Sequence, residues 1–413
     1  MDRIRMKAVI LAGGKGIDLH PLTQTRPKPM ITLLGKPLLE YLIVELKEVG
    51  LTDILIVTGY KGEQIRNHFK KGRDFGVTIQ YAEQGEKEGI EAALVAAEES
   101  VNNDTEFLLL FGDIVSENGL IQRTLNAFEN TQADMAMALT LQGDKGDFGI
   151  VEIDSMGFVK KAGLKEERTT SSGNYIDAGC FVMLSDILED IKQGKSLTQA
   201  INTRIESGAK VAAAIWEKEW YDIGKPWNII QANMMLLSKV QESRISKGVI
   251  LESNVVLKGV VIIKENTVIS SGTVLNGPIY IGPNTYIGNN VLIRDHSSIG
   301  EKSLVGFGSE IKNSVLFNGT KIYRLCYVGD SVLGADTILS SGVITVNTET
   351  PRKKIEMTIG GKKIKTNLQK LGAIIGDKCE IGVNTLIFPG RRIDSGCIIL
   401  PGTKIEEDIE NKN

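Results

Sequence analysis

The stretch Ile263-Lys-Glu-Asn-Thr-Val-Ile269-Ser-Ser-Gly-Thr-Val-Leu275-Asn-Gly-Pro-Ile-Tyr-Ile281-Gly-Pro-Asn-Thr-Tyr-Ile287 places an aliphatic residue at every sixth position. The spacing extends back to Leu251 and Leu257 and forward through Ile293, Ile299, Val305, Ile311, Phe317 and Tyr323. A second run, Ile375, Ile381, Ile387, Ile393, Ile399 and Ile405, keeps the period, commonly with Gly or a small polar residue after the Ile. Chance rarely sustains one spacing over so many positions, and a fixed internal period marks a solenoid. It predicts a triangular coil of about three hexapeptides per turn, each sixth side chain pointing inward onto its counterpart one turn away. Between the runs, residues 348 to 370 break the period with Pro351-Arg-Lys-Lys354 and Gly360-Gly-Lys-Lys-Ile-Lys365. Such an excursion is basic enough to approach a neighbouring subunit or an anionic ligand.

Upstream of Ser246 the period is absent. Strand-like Ala8 to Ala12, helix-like Leu38 to Glu48, strand-like Asp53 to Thr58 and helix-like Gly62 to Lys70 alternate instead, and the alternation continues through Phe107 to Phe111, Gly119 to Asn130 and Asp134 to Leu141. That pattern predicts βαβ units on a mostly parallel sheet. The expected organisation is therefore a Rossmann-like α/β domain over residues 1–240, followed by a parallel β-helix over residues 247–413. A chain of 413 residues is long enough for both.

Composition excludes several classes. A formal net charge of -3 with 24% charged and 42% hydrophobic residues fits a soluble globular protein and argues against a nucleic-acid-coating or disordered one. No apolar stretch approaches the length of a membrane span, so a cytoplasmic location without membrane partners is expected. Cys180, Cys326, Cys379 and Cys397 show no C-x-x-C spacing, which predicts reduced, buried thiols. His20, His68 and His296 are the only imidazoles available to any mechanism.

The first chemistry-bearing segment is Leu11-Ala-Gly-Gly-Lys-Gly-Ile-Asp-Leu-His-Pro-Leu-Thr23, where a strand runs into a glycine-rich loop able to present backbone N–H groups to phosphates. It is not a Walker A loop, and it lacks the third glycine of the dinucleotide fingerprint. Arg26-Pro-Lys-Pro29 follows, then Phe111-Gly-Asp113 after a strand and Trp220-Tyr-Asp-Ile-Gly-Lys-Pro226 before a helix.

These four motifs in order resemble the sugar-1-phosphate nucleotidylyltransferases, and the resemblance covers essentially residues 6 to 237. It implies Mg²⁺ as cofactor, held on a nucleoside triphosphate by Asp113 and Asp222. It implies Lys28, together with Lys15 and Asp18 in the glycine loop, at the reacting phosphates. Leu11, Ala12, Gly13, Gly14, Gln84 and Gly89 fall on the nucleotide side, and Gly149, Lys165 and Gly179 on the sugar-phosphate side. The implied reaction joins a nucleoside triphosphate, UTP or dTTP foremost, to a sugar 1-phosphate and releases pyrophosphate.

The second half is similar to left-handed β-helices of hexapeptide repeats. Residues 310 to 347 and Lys370 to Asp377 resemble the acetyltransferase domain of bifunctional N-acetylglucosamine-1-phosphate uridylyltransferases of the archaeal type. The resemblance carries over Tyr327 and Asn347, places Arg324 at the site and lets Lys353 meet an anionic ligand, with acetyl-CoA as a further partner. It also implies a homotrimer or higher homo-oligomer.

Departures from the pattern leave alternatives open. Where the first family reads G-x-G-T-R-L, this chain has Gly14-Lys-Gly-Ile-Asp-Leu19, so Asp18 replaces an arginine that meets the leaving phosphates. Ile90 replaces a threonine near the base, and Leu164 the glutamate that binds a sugar hydroxyl. In the second family a P-H-L-S-Y segment supplies a histidine base, whereas Tyr323-Arg-Leu-Cys-Tyr327 has none. Arginine cannot accept a proton at neutral pH. Three functions follow: a nucleotidylyltransferase, a catalytically degraded paralogue that binds nucleotide and scaffolds or regulates an active homologue, and a bifunctional uridylyltransferase/acetyltransferase.

Overall fold

A computed structural model describes residues 6–101, 105–141, 149–163 and 175–411. The chain divides into two compact units, one made of Met1–Lys15, Pro27–Met30 and Leu38–Asp222, the other of Gly16–Arg26, Ile31–Pro37 and Ile223–Asn413.

The first unit is built on a sheet whose middle strands are apolar because both faces are covered. Lys7–Ala12 pairs in parallel with Asp53–Thr58 and with Glu106–Phe111, and Thr78–Glu83 extends the parallel set. Residues Ile54 to Val57 are fully buried, as expected for a strand packed on two sides. Tyr175–Leu184 enters antiparallel against Glu106–Phe111 and Met135–Leu141, and Val211–Trp216 runs parallel to the latter. The helix Leu38–Glu48 presents Leu39, Leu42, Ile43 and Leu46 to the core at the i, i+3, i+4, i+7 spacing of an amphipathic helix. Glu45 breaks that apolar face for a reason. Its carboxylate accepts the N–H groups of Gly119 and Ile121, each at 3.0 Å, and so caps the helix Leu120–Thr131.

The second unit contains a left-handed parallel β-helix whose three faces are parallel sheets of eight short strands each. Ile263 stacks on Ile281 and Ile281 on Ile299, so these coils take eighteen residues each. Thr267, Thr273, Thr285 and Thr337 stand two residues before an inward aliphatic. Their hydroxyls donate to the next coil's carbonyls, of Gly282, Gly288, Gly300 and Gly376, at 2.7 to 3.1 Å. Cys326, Cys379 and Cys397 occupy the equivalent place as buried free thiols, and burial is the main force raising the pKa of each.

One part of the repeat reading is corrected by the coordinates. After Ile311 the inward column passes through Leu316, Ile322 and Val328, not through Phe317 and Tyr323. The corner after Ile311 takes five residues instead of six, turning through Asn313 at φ 44°. A second short corner turns through Asp330 at φ 49° before Leu333. The phase slip turns Phe317 out of the column and leaves Tyr323 exposed at a corner. The basic excursion leaves the coil between Thr345 and Ile374 and contains an antiparallel hairpin, Glu356–Ile359 with Lys362–Lys365.

Helix Pro226–Ser238 packs with the coil rather than with the sheet unit. Leu237 meets Ile262, Tyr280 and Leu34, and Asn233 donates to the His296 carbonyl at 2.6 Å. No helix among the described residues is long and apolar enough to cross a membrane.

Candidate active site

Strands that end together leave a cavity of about 530 Å³ at the carboxyl edge of the parallel sheet, the usual position for a ligand in an open α/β sheet. Its wall includes Leu11, Gly13, Gly14 and Lys15 after the first strand, Gly59 and Tyr60 after the second, residues 84–90 after the third and Asp113 after the fourth. A Cβ at Gly13 would fall 2.1 Å from the Gln84 Oε1, so a side chain there would displace Gln84. Gln84 in turn donates to the carbonyls of Lys87 and Gly89, each at 3.0 Å, and draws its loop closed. Lys15 pairs with Glu88 at 2.6 Å, a contact that raises the lysine pKa. Of the expected nucleotide-side residues, Ala12 is the one whose side chain leaves the cavity. Strand alternation turns it into the core, 2% exposed.

Next to the cavity-lining Asp113, Lys28 lies between two carboxylates, 2.6 Å from Asp113 and 3.3 Å from Asp222. Sheet register brings the two acids together, because Trp220–Asp222 pairs antiparallel with Ile114–Ser116 and sets Asp222 opposite Ile114. Burial works to lower the Lys28 pKa, but the paired carboxylates outweigh it and hold the ammonium above its ordinary value. Two acids thus converge on one lysine.

A second cavity of about 210 Å³ is lined by Gly149, Gly163, Asp177, Phe181 and Thr198, and it shares Ile90 and Phe111 with the first. Gly179 follows two residues after Asp177, at φ 70° inside the register break of its strand, where a Cβ would come within 3.0 Å of the Phe111 ring. Lys165 and Leu164 lie outside the described residues. Asp177 went unnoticed in the sequence, although an acid in the apolar run Tyr175–Leu184 was a usable signal. Burial pushes its carboxyl up to about 6, with the Asp222 charge adding to the shift and the Gly179 N–H opposing it.

In the coil unit, Asp18 is paired with Lys225. The acid that replaces the family arginine therefore has its own cation, one that sequence reading left out. The acetyltransferase-like residues are only partly assembled. Asn347 donates to the Tyr327 hydroxyl at 3.1 Å and to Asp330, which also accepts from Lys312 at 3.0 Å and Asn313 at 2.7 Å. Burial, then the Asp330 charge, raises the Tyr327 pKa. Arg324 and Lys353 are exposed, and neither takes part in this set of hydrogen bonds.

The nucleotidyl transferase family profile matches residues 7–239, and the profile of the GMPPB C-terminal domain matches residues 275–371. The chain belongs to the nucleotidyl transferase family. Its relatives include the bifunctional protein GlmU of Methanococcus maripaludis, 36% identical over 415 residues that span 99% of this chain and 96% of that protein. A bifunctional sugar-1-phosphate nucleotidylyltransferase/acetyltransferase of Sulfurisphaera tokodaii is 34% identical over 411 residues, 98% of each chain. Among solved structures, a Bacillus anthracis protein described as a glucose-1-phosphate thymidylyltransferase superposes with a TM-score of 0.52 at 25% identity, over 58% of this chain and 98% of that one.

Proposed function

We propose that the chain is a Mg²⁺-dependent sugar-1-phosphate nucleotidylyltransferase, forming a nucleotide sugar from a nucleoside triphosphate, UTP or dTTP foremost, and a sugar 1-phosphate. The observation that carries this reading is Lys28 held between Asp113 and Asp222 beside a glycine-walled cavity of about 530 Å³. Two converging carboxylates are hard oxygen donors of the kind that suits Mg²⁺, which would supply charge neutralisation on the phosphates when bound. The remaining work belongs to the chain. Gly13 and Gly14 admit phosphates close to the backbone, Lys28 offers an ammonium to them, and Gln84 and Gly89 form the wall expected to face the base. Gly149 and Asp177 line the cavity assigned to the sugar phosphate. In-line attack by the sugar phosphate oxygen on the α-phosphorus needs positioning and electrostatics more than covalent help. A relative named for sugar-1-phosphate nucleotidylyl transfer, matched over 98% of its length, supports the same chemistry.

A homotrimer is the proposed assembly: on one sheet Ile250, Val268, Tyr286 and Leu304 follow one another outward on neighbouring strands, an apolar patch suited to a second copy that ends at Lys321. Acetyl transfer is the second reading, favoured by the Tyr327–Asn347 hydrogen bond and opposed by Arg324 in place of a base.

Pyrophosphate release over a panel of nucleoside triphosphates and sugar 1-phosphates, with Mg²⁺ and with chelator, tests the proposal. Metal-dependent release with at least one pair supports it. No release with any pair, beside intact nucleotide binding, favours the scaffolding paralogue.

A further inference from the structure

Residues 352 to 370, the excursion from the coil, hold seven lysines and arginines against one acid, Glu356, in a chain whose formal net charge is -3. All seven cations are exposed. The excursion is fixed to the coil by its apolar side. Ile355, Met357 and Ile359 turn inward at 0%, 1% and 3% exposure, and Gly390 of the coil lies so close that a Cβ there would fall 2.8 Å from the Ile355 side chain. Backbone bonds brace its base: the Ile355 N–H donates to the Leu368 carbonyl at 2.9 Å, and the Ile355 carbonyl accepts the Thr366 N–H at 3.0 Å. Strand alternation then sends Lys365 and Lys363, opposite Glu356 and Thr358, to the outer face.

The last strand of the coil, Lys404–Ile405, leads into the acidic counterpart, where Glu406, Glu407 and Glu410 are exposed. The backbone that carries them is tied down as well. Asp408 accepts the Arg392 N–H at 2.9 Å and the Arg392 Nε at 3.0 Å, the Ile409 N–H donates to the Arg392 carbonyl at 2.8 Å, and the Asn411 N–H donates to Asp394 at 3.2 Å. One side chain joins the two patches. The Arg391 guanidinium donates to the Glu356 carbonyl at 3.0 Å and to the Glu406 carbonyl at 3.4 Å, so the basic hairpin and the acidic segment are held side by side. Among the described residues, none of the seven cations and none of these three glutamates forms an ion pair, so neither patch neutralises the other within the chain.

Like charges gathered on a fixed surface repel one another, and a partner of opposite sign relieves the repulsion. A positive half fixed beside a negative half is complementary to itself. Turned by a two-fold axis, each half meets its opposite on the other copy, which is the pattern of an isologous contact. A small anion would answer only the positive half. We propose that the hairpin and the segment 406–410 together form an electrostatic two-fold docking surface for a second copy of this chain. This surface is separate from the apolar patch running from Ile250 to Leu304, and it depends neither on the nucleotidylyl reading nor on the homotrimer.

Sedimentation velocity of the full-length chain at about 50 mM and about 1 M NaCl tests the proposal, since at the higher salt charges are screened beyond about 3 Å. The mass at low salt should be twice that at high salt, whether the smaller unit is one chain or three. Lys363→Glu/Lys365→Glu and Glu406→Lys/Glu407→Lys should each remain at the smaller mass at low salt, and mixing the two variants should restore the doubled mass, because their reversed patches again face opposite charge. Melting curves check that both variants fold. Should the reversed lysine pair not fold, Lys363→Gln/Lys365→Gln, which removes charge without reversing it, should weaken the doubling at least about tenfold. One mass at both salt concentrations, a doubled mass that survives either reversal, or a mixture that fails to double would overturn the proposal. Doubling lost only on reversing the lysines would also overturn it, and would leave the hairpin to an anionic ligand.

Discussion

Two lysine–aspartate clusters, one in each unit, show opposite ways of using the same groups. In the sheet unit Lys28 is shared by Asp113 and Asp222, and Asp113 lines a cavity. In the coil, Lys312 pairs with a single acid, Asp330, and Asn313 and Asn347 fill that carboxylate's remaining acceptor positions. The first cluster borders open volume, whereas in the second the carboxylate is enclosed by donors of the coil itself. Residue type alone does not mark a site. Carboxylates beside open volume do.

The largest effect should come from the open cluster. On the proposed function Asp113 would hold Mg²⁺ and so set the charge at the reacting phosphates, and Asp113→Ala is expected to lower pyrophosphate release by about 1000-fold or more. Asp330→Ala, by contrast, should cost stability. It leaves Lys312, 12% exposed, without its partner, a loss of about 3 kcal/mol by thermal or denaturant melting with turnover per folded molecule unchanged. Equal damage to turnover by both substitutions would erase the distinction between the clusters.

The two units were also unequally legible in the sequence. Periodicity exposed both architectures, since an aliphatic every sixth residue and alternating strand and helix patterns are local properties. Four ordered motifs singled out Gly13, Lys28, Asp113 and Asp222, each close to a strand end or a helix start. Pairings across long separations could not be read that way: Asp18 with Lys225, and Arg26 with Asp377, depend on how distant segments pack. The misassigned Phe317 and Tyr323 have a physical source as well. Five-residue corners at Asn313 and Asp330 shift the phase while leaving aliphatics on both frames. Ala12 was assigned from its motif although strand alternation turns it inward.

Asp177 sharpens the comparison further, as a half-buried acid held by backbone N–H groups. Its folded pKa of about 6 lies above the ordinary 3.8, so the stability it contributes is complete below 3.8 and is lost as pH rises through about 6. Asp177→Asn, neutral throughout, should therefore melt about 3 °C above wild type near pH 8, with the gap closing towards about pH 4. A gap that widened on acidification would contradict the assignment of burial as the cause.

Asp18 should show the smallest effect. A half-exposed acid already matched by Lys225 is a weakly coupled surface pair, and Asp18→Ala should change pyrophosphate release by no more than about threefold. A gain of about tenfold or more would show that the acid repels the leaving phosphates despite its partner.

Calorimetric titration of a nucleoside triphosphate with and without Mg²⁺, into wild type, Asp113→Asn and Asp330→Asn, bears most directly on the contrast between open and closed clusters. The account predicts Mg²⁺-dependent binding in wild type and Asp330→Asn, and its loss in Asp113→Asn. Equally tight, metal-dependent binding by Asp113→Asn would contradict it.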